Sequence, residues 1–422
     1  MLFNKSRMLE KMDEFKLDAV VASFPENVSY MSDLQSQLPY MYRFLGVESF
    51  AFFPRRPDLA PALVVARGDL AWAARYPSWM SDIYVFGNRA YAVHSGGTLS
   101  EGEERFRRML DDQDRHAESA GDVLVKLLKR NGLDNGRIAL DEKGLHPASR
   151  ETIAIGLPQA TFIDAFELIR WVRMVKTPDE VDRLRTAGAF NERAAQSVLD
   201  RLRVGVTEEE LAQHFLDATA DYGAVFEFWN TASGSQSSMT IMGNGHHFPR
   251  ARYALKRGDM FRYDGGAVYN RYHSDAGGCA VLDTPSAVHR AAYRGIEAGM
   301  ERGMELLRPG AIPSQVFAEV VKAVEKAGVN DYSKLATFCG HGIGIEARDY
   351  PIFTKPVKAT SPFLPGSYDV PIEEGMVIML EMPYSVLGLG GFQIEYIAAV
   401  NPQRHRDMFK EVVDETIPLP PW

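Results

Sequence analysis

Acidic residues inside strand-like segments of the second half of the chain are the feature that most constrains its fold. Asp264 and Asp275 lie in two such stretches, which are separated by the turn residues Gly265, Gly266 and Asn270. Aspartate is depleted in β-strands, and burial of an unpaired carboxylate is unfavourable. We therefore expect these two side chains to face each other across a hairpin and to bind a cation. Exposure of both side chains at the surface is the alternative.

Three further side chains in the second half have the character of metal ligands. His341 lies among the glycines of segment 340–344, where small neighbours leave room for a ligand or for another backbone segment. Glu381 ends the apolar stretch 376–380, and Glu395 lies in the next strand-like stretch. Together with the two aspartates they form an oxygen-rich set with one nitrogen ligand, which suits Mn, Fe, Co or Zn. The sequence therefore predicts one centre with two divalent metal ions.

The first part of the chain has the alternating pattern of an α/β domain. An amphipathic helix is predicted at 6–15, and strands are predicted at 19–22, 49–53, 62–65, 137–141 and 161–165. Further on, Thr177, Pro178 and Glu180 supply an N-cap, a proline at the first helical position and the acidic partner of a capping box. A long helix should begin there. We therefore predict two domains, 1–165 and 166–422.

Two segments of the second domain resemble each other. Residues 205–211 and 310–316 each contain a glycine, a short turn and the start of a helix. This similarity predicts two related α/β halves within the domain. The alternative is that any capped helix looks like this.

Composition excludes several classes of function. With 45% hydrophobic and 24% charged residues, and without a run of 18 apolar residues, the chain is not expected to contact a membrane. The net charge of -9 and the lack of a Lys/Arg-rich block argue against a nucleic-acid partner. Only two cysteines, Cys279 and Cys339, are present, which fits a reducing compartment. A cytoplasmic location is expected.

The order Asp, Asp, His, Glu, Glu resembles the pita-bread metallohydrolases, the family of aminopeptidase P, prolidase and methionine aminopeptidase. The resemblance covers roughly residues 166–400, and segment 25–31 resembles an early segment of the creatinase/prolidase N-terminal domain. It implies an α+β chain. The catalytic domain would hold two related α/β halves around a curved antiparallel sheet, preceded by a smaller α/β domain.

The same resemblance implies a mechanism. Two metal ions, manganese first among the alternatives, would acidify a bridging water that attacks a carbonyl. Glu381 would move the proton, and His247 would steady the developing oxyanion. The expected reaction is hydrolysis of a C–N bond in a short peptide, of the Xaa-Pro type, by a homodimer.

Arg348 interrupts the resemblance. It stands where aminopeptidase P and prolidase have a second histidine, seven residues after His341. Arginine cannot shuttle a proton near neutral pH, but it can bind a carboxylate bidentately. Arg348 is therefore expected to act on a substrate of anionic character. The alternative function is a non-peptide specialist of this fold, such as a creatinase-like or ectoine-type hydrolase.

A second alternative is a dimethylsulfoniopropionate-type lyase, which segment 354–370 resembles. Against it, the chain has Gly266 where that lyase has an additional aspartate. Tyr42 and Trp229 are candidates for an aromatic substrate pocket. The resemblance also implies that residues 40–44 of one subunit reach the active site of the other.

Overall fold

The computed structural model shows two compact units. It describes residues 1–36, 38–42, 47–88, 90–240, 252–356, 363, 369–400 and 406–407. The units are Met1–Arg173 and Met174–Trp422. The observed boundary therefore falls later than the predicted one at 165/166. The helix Phe166–Met174 explains the difference, because its Leu168 and Ile169 are fully buried and the Arg173 guanidinium donates to Asn27 of the first unit.

The first unit is an α/β domain. Its helices are α1 (Lys5–Phe15), α2 (Pro25–Ser32), α3 (Leu38–Met41), α4 (Leu70–Arg75), α5 (Glu101–Asp111), α6 (Ala120–Arg130), α7 (Pro147–Gly156) and α8 (Phe166–Met174). Its strands are β1 (Ala19–Ala22), β2 (Phe50–Pro54), β3 (Ala62–Ala66), β4 (Asp82–Phe86), β5 (His116–Ala117), β6 (Arg137–Leu140) and β7 (Thr161–Asp164). The first helix and the five strands predicted from the sequence are present within one or two residues.

One mixed sheet organises this unit, with the strand order β5-β4-β3-β2-β1-β6-β7. Strand β2 runs antiparallel to both neighbours, and the other pairs are parallel. The central strands are buried along their whole length, as expected for strands that are covered on both faces. Helix α6 packs Val123, Leu124, Leu127 and Leu128 into this core, where full burial of each leucine contributes about 1.5–3 kcal/mol.

The second unit is built from long helices and antiparallel strands. Its helices are α9 (Pro178–Leu199), α10 (Glu208–Asp221), α11 (Ala287–Leu306), α12 (Pro313–Lys326) and α13 (Tyr332–Leu335). Its strands are β8 (Val225–Ser233), β9 (Met260–Tyr269), β10 (Tyr272–Val281), β11 (Phe338–Gly342), β12 (Asp349–Thr354), β13 (Val377–Glu381), β14 (Tyr384–Val386), β15 (Gly390–Phe392), β16 (Glu395–Ala399) and β17 (Arg406–Asp407). The sheets are β10-β9-β8, β12-β11-β13-β16-β17 and the hairpin β14-β15. Among the described residues, no helix has the length and apolar character of a membrane span.

Helix α9 begins as the sequence predicted. The Thr177 hydroxyl accepts a hydrogen bond from the Glu180 backbone N–H, and the Glu180 carboxylate accepts one from the Thr177 N–H. Pro178 occupies the first turn. The second carboxylate oxygen of Glu180 accepts a hydrogen bond from the buried Tyr272 hydroxyl at 3.0 Å. The cap therefore also attaches the helix to β10.

The second unit contains the predicted internal repeat. Each half begins with two packed helices, α9-α10 or α11-α12, and contributes three adjacent antiparallel strands, β8-β9-β10 in the first half and β11-β13-β16 in the second. Gly205 and Gly310 have φ of +89° and +87°, a conformation that favours glycine. Each glycine and its successor exchange two hydrogen bonds of 2.7–2.8 Å with a distant apolar residue, Leu255 in the first half and Ile372 in the second. The two halves are thus built in the same way.

Of the three residues predicted to form the turn of the β9–β10 hairpin, Asn270 does so and the two glycines do not. Asn270 and the following residue form the turn, both with positive φ. Gly265 and Gly266 instead lie inside β9. A Cβ atom at Gly265 would lie 2.7 Å from the Trp229 ring, and one at Gly266 would lie 2.2 Å from the Phe228 ring. These glycines therefore make room for aromatic side chains of β8.

Candidate metal centre

Asp264 and Asp275 lie on the same face of the β9–β10 hairpin. Asp264 pairs with Gly277, and Asp275 pairs with Gly266. Directly opposed residues share a face, and so do residues two apart on one strand. The two aspartates are therefore diagonal neighbours rather than a directly opposed pair. Both side chains point to the side of the sheet from which Glu395 approaches.

Glu381 and Glu395 form a directly opposed pair on β13 and β16. Two like charges in this arrangement destabilise a sheet. The Glu395 carboxylate lies over Gly277 of the other sheet, where a Cβ atom would be 2.5 Å from its Cδ atom. One carboxylate oxygen from each of Asp264, Asp275 and Glu395 lies within 4.8 Å of the others. Three acids are thus brought together from strands of both halves.

His341 joins this cluster from β11. Its Nδ1 lies 2.8 Å from the Gly342 carbonyl, which can only accept a hydrogen bond, so Nδ1 carries a proton and Nε2 is the ring nitrogen that faces the acids. That Nε2 lies 3.1 Å from Glu381 Oε1 and 3.9 Å from Asp275 Oδ2. Position 342 requires a glycine, because a Cβ atom there would lie 2.0 Å from the Tyr350 carbonyl oxygen. All five predicted ligands therefore meet in one cluster.

The cluster contains buried polar atoms without hydrogen-bond partners among the described residues. They are Asp264 Oδ1, Asp275 Oδ1, His341 Nε2, Glu381 Oε1 and Glu395 Oε2. Buried polar atoms of this kind are rare in proteins, and here one occurs on each predicted ligand. Four carboxylates and one imidazole form a donor set that fits hard or borderline divalent cations.

The pKa values of three acids in the cluster, Asp264, Asp275 and Glu395, are all raised. Burial, reinforced by the charge of Glu381, raises the pKa of Asp264. Burial and the charge of Glu395 raise the pKa of Asp275 well above its ordinary value, and burial together with Asp264 does the same to the pKa of Glu395. Cations among these carboxylates would favour their charged forms.

Two polar residues that the sequence did not single out contact the predicted ligands, and a third contacts one of these two residues. Asn230 donates to Asp264 Oδ2 at 3.2 Å, and the Gln393 amide donates to Glu395 Oε1. Arg262 in turn donates to the Gln393 carbonyl oxygen. Arg262 and Gln393 each precede a ligand by two positions, so the period-2 alternation of a strand could have indicated them.

Arg348 lies beside the ligand cluster. Its side chain is 61% exposed, and its Nη2 is 3.6 Å from Glu381 Oε1. The guanidinium stacks over the Phe338 ring at 4.6 Å from the centroid. The next residue, Asp349, is fully buried and forms an ion pair with the buried Lys176 at 3.5 Å. Arg348 therefore extends towards solvent from a firmly held backbone.

The other predicted site residues have different locations. Trp229 was expected to line a substrate pocket, and this is wrong: its side chain is fully buried and stacks between Phe215 and Tyr263, with centroids at 4.3 and 5.5 Å. Tyr42 lies in the first unit and is 39% exposed. His247 and most of segment 354–370 lie outside the described residues.

Fold and site together define a two-domain metallohydrolase. Residues 182–402 match the model of metallopeptidase family M24, and residues 5–175 match the creatinase/prolidase N-terminal domain. The chain therefore belongs to metallopeptidase family M24, whose members use a dinuclear centre of divalent metal ions. The predicted family, the α+β fold class with its pita-bread domain, and the assignment to metal-dependent hydrolases that cleave a C–N bond are confirmed.

Named relatives and solved structures agree with this family. The chain is 25% identical to an Xaa-Pro dipeptidase of Pyrococcus furiosus over 237 residues, which cover 54% of this chain and 61% of the relative. An Xaa-Pro dipeptidase of Lactobacillus delbrueckii subsp. lactis is 21% identical and matches 93% of this chain and 92% of its own length.

Among solved structures, the dipeptidase PepE from Mycobacterium ulcerans has a TM-score of 0.71 at 21% identity, covering 96% of this chain and 94% of its own. At this identity the likeness shows the fold alone. These relatives lend no support to the resemblance to the dimethylsulfoniopropionate lyase.

Proposed function

We propose that the chain is a dipeptidase that uses two divalent metal ions to hydrolyse the C–N bond of Xaa-Pro dipeptides or closely similar substrates. The observation that carries this proposal is the convergence of four carboxylates and His341, each with a buried atom that lacks a hydrogen-bond partner among the described residues. The Xaa-Pro dipeptidases among its relatives support the substrate class.

The side chains of the cluster have distinct proposed roles. When bound, the two ions would acidify a water molecule and polarise the scissile carbonyl. Glu381 is the proposed proton acceptor, since its Oε1 lies between His341 and Arg348 at 3.1 and 3.6 Å and faces the other ligands. His341 directs its Nε2 towards the centre. His247 is proposed to donate a hydrogen bond to the developing oxyanion.

Arg348 is the proposed binding residue for the substrate carboxylate. Its guanidinium is exposed, held over Phe338 and close to the proton-accepting Glu381. In a dipeptide the carboxylate lies one residue from the scissile bond, about 3.3–3.6 Å further along the chain. A guanidinium adjacent to the centre therefore favours dipeptides over longer peptides, and it binds carboxylates bidentately.

A second candidate function follows from the same residue. Because Arg348 replaces a titratable histidine, this centre has one proton carrier fewer than the peptidases that it resembles. A specialist for a non-peptide substrate with a carboxylate, such as a creatine-like amidine, would also be served by this arrangement. Manganese as the native metal, a homodimer with Tyr42 acting across the interface, and a cytoplasmic location stay predictions.

Metal analysis combined with a substrate panel tests this proposal. The protein would be stripped with a chelator, reloaded with Mn²⁺, and assayed on Xaa-Pro dipeptides, Xaa-Pro tripeptides, creatine and dimethylsulfoniopropionate. We expect two ions per chain and turnover of dipeptides only after reloading. Full activity of the stripped protein would contradict the metal mechanism. Turnover of creatine without turnover of dipeptides would favour the second candidate.

A further inference from the structure

Two hydrogen bonds connect three side chains in series, from Arg262 through Gln393 to the predicted ligand Glu395. Arg262 Nη2 donates to Gln393 Oε1, and Gln393 Nε2 donates to Glu395 Oε1. Gln393 and Arg262 have only 1% and 9% of their surface exposed. The other carboxylate oxygen of Glu395, Oε2, is buried and has no hydrogen-bond partner among the described residues. The two oxygens of this ligand therefore have different surroundings.

The chemistry of arginine determines which group donates and which accepts in these two hydrogen bonds. A guanidinium has only donors, so the Gln393 amide must turn its carbonyl oxygen towards Arg262. Its NH₂ group then necessarily faces Glu395, where it meets a carboxylate that can only accept. With Arg262 absent, the amide could rotate and present its oxygen to Glu395. Arg262 therefore sets the orientation of the Gln393 amide, although it contacts only the amide oxygen and not the NH₂ group that faces Glu395.

Arg262 is itself held by the hairpin between the two glutamate strands. Its Nη1 donates to the Ser385 hydroxyl of β14 at 2.8 Å. Its Cδ atom would lie 2.8 Å from a Cβ atom at Gly391 of β15, so that glycine admits the arginine side chain. The guanidinium thus contacts the hairpin β14-β15 and Gln393, two residues before β16. It links β9, which carries Asp264, to the chain between Glu381 and Glu395.

We propose that Arg262 and Gln393 are positioning residues of the metal centre. They hold Glu395 Oε1 in a hydrogen bond, which leaves Oε2 as the oxygen for a metal ion, and the positive charge of Arg262 offsets part of the charge of four clustered carboxylates. This inference rests on the metal centre of the proposed function. Groups that orient a metal ligand in this way typically change metal affinity by about 10- to 100-fold when they are replaced.

Titration with Co²⁺ tests the proposal without any substrate. The readouts are the dissociation constants from calorimetry and the visible absorption spectrum of bound Co²⁺, which reports ligand geometry. Gln393→Glu keeps the size of the side chain and an acceptor for Arg262 but removes the donor to Glu395. We expect it to weaken Co²⁺ binding by about 10-fold or more and to alter the spectrum. Gln393→Met should do the same.

Thr219→Val is the matched control, because it also removes one fully buried side-chain hydrogen bond, that from the hydroxyl to the Phe215 carbonyl in α10. It should leave Co²⁺ affinity and spectrum unchanged. A Gln393→Glu protein that is folded by circular dichroism, with a dissociation constant within about twofold of wild type and an unchanged spectrum, overturns the proposal. If the Gln393→Met protein does not fold, the result for Gln393→Glu alone decides whether the proposal holds.

A double-mutant cycle tests the role of Arg262 as the orienting group. Arg262→Met should weaken Co²⁺ binding, and adding it to Gln393→Met should cause little further loss, because both changes interrupt one chain. Additive losses would show that Arg262 acts independently, which overturns the relay. A wild-type protein that binds no Co²⁺ contradicts the proposed function itself, so the two failures are distinguishable.

Discussion

Arg348 distinguishes this centre at the scale of single residues. We expect Arg348→Lys to raise KM for an Xaa-Pro dipeptide by about 10-fold or more, since lysine keeps the charge but loses the bidentate geometry. The change in kcat should be small, because the guanidinium carries no proton in the reaction. Steady-state kinetics on a dipeptide and on its C-terminal amide measure this directly. The preference for the free acid over the amide should shrink in the variant.

Arg183→Lys is the matched control for Arg348→Lys. Arg183 also places its guanidinium near an aromatic ring, that of Tyr272 at 5.7 Å, but it donates to the Asn270 carbonyl at the hairpin turn. Its kinetics should equal those of wild type. Arg348→His restores a titratable group, and a gain in Xaa-Pro cleavage would indicate a peptidase specialised away from peptides. Unchanged KM and kcat in both Arg348 variants would rule out a role in substrate binding.

Substitutions of Glu381 and His341 test the catalytic role of the centre itself. Glu381→Gln keeps the volume of the side chain but removes the proton acceptor, so we expect kcat to fall by about 100-fold or more. His341→Ala should abolish turnover by removing a ligand. The Glu381→Gln protein should stay folded, because the substitution relieves the repulsion between the opposed carboxylates on β13 and β16. Circular dichroism and kinetics check this pair, and appreciable turnover by either variant would contradict the assigned roles.

Gly277 tests the centre at the scale of secondary-structure elements. Gly277→Ala would place a methyl group 2.5 Å from Glu395 Cδ, so the carboxylate must move away from Asp264 and Asp275. We expect Mn²⁺ affinity to fall by about 10-fold or more, the range seen when a ligand is misplaced. Isothermal titration measures it.

Gly278→Ala is the control for Gly277→Ala on the same strand. Its methyl group would approach the Tyr263 ring at 2.9 Å, so it should cost stability without displacing a ligand. Equal effects of the two substitutions on Mn²⁺ affinity would show that strand distortion, rather than the Glu395 carboxylate, sets the affinity.

Local signals in the sequence were sufficient to predict several structural elements. The start of α9 was predictable, because a capping box and a proline act within one helical turn. The clustering of the two aspartates and two glutamates was predictable, because buried acids are unfavourable without a partner. Their role as metal ligands stays a prediction. The turn of the β9–β10 hairpin was predictable only at Asn270, since the two glycines in β9 accommodate rings of β8 rather than bend the chain. Trp229 was misassigned for the same reason: its burial depends on packing between distant elements.

The supporting residues of the centre depend on register, which the sequence does not state. Asn230 lies opposite Asp264 only because β8 and β9 pair with a bulge between Phe226 and Phe228. Arg262 and Gln393 are far apart in the chain and meet only after β14-β15 folds against β9. Alternation alone could place each of them on a ligand face. It could not identify their partners.

At the scale of the whole molecule, the metal centre joins the two halves of the second unit. Asp264 and Glu381 occupy equivalent places, since each follows the bridging residue of its half, Leu255 or Ile372, by nine positions. Asp275 comes from the first half, and His341 comes from the second. Without cations, the acids of both halves repel one another. Bound metal should therefore stabilise the folded second unit.

The perturbed carboxyls give this stabilisation a pH dependence. Burial and mutual repulsion raise the pKa values of Asp264, Asp275 and Glu395 in the metal-free chain. A carboxyl with a raised pKa in the folded state stabilises the fold below its unfolded pKa, near 4, and this contribution is lost as the pH rises through the folded pKa. We expect the difference in Tm between Mn²⁺-loaded and metal-free protein to grow from about pH 4.5 to neutrality.

Thermal unfolding of both forms across this pH range measures the effect. The difference between loaded and metal-free protein is the relevant quantity, because surface acids with lowered pKa values, such as Glu319, affect both forms equally. At free Mn²⁺ about 100-fold above its dissociation constant, binding adds roughly 2.7 kcal/mol. Asp275→Asn should flatten the pH dependence of the metal-free form, since it removes one repelled carboxyl. A metal-free protein whose Tm rises towards neutrality as steeply as that of the loaded form would show that repulsion among these acids does not limit its stability.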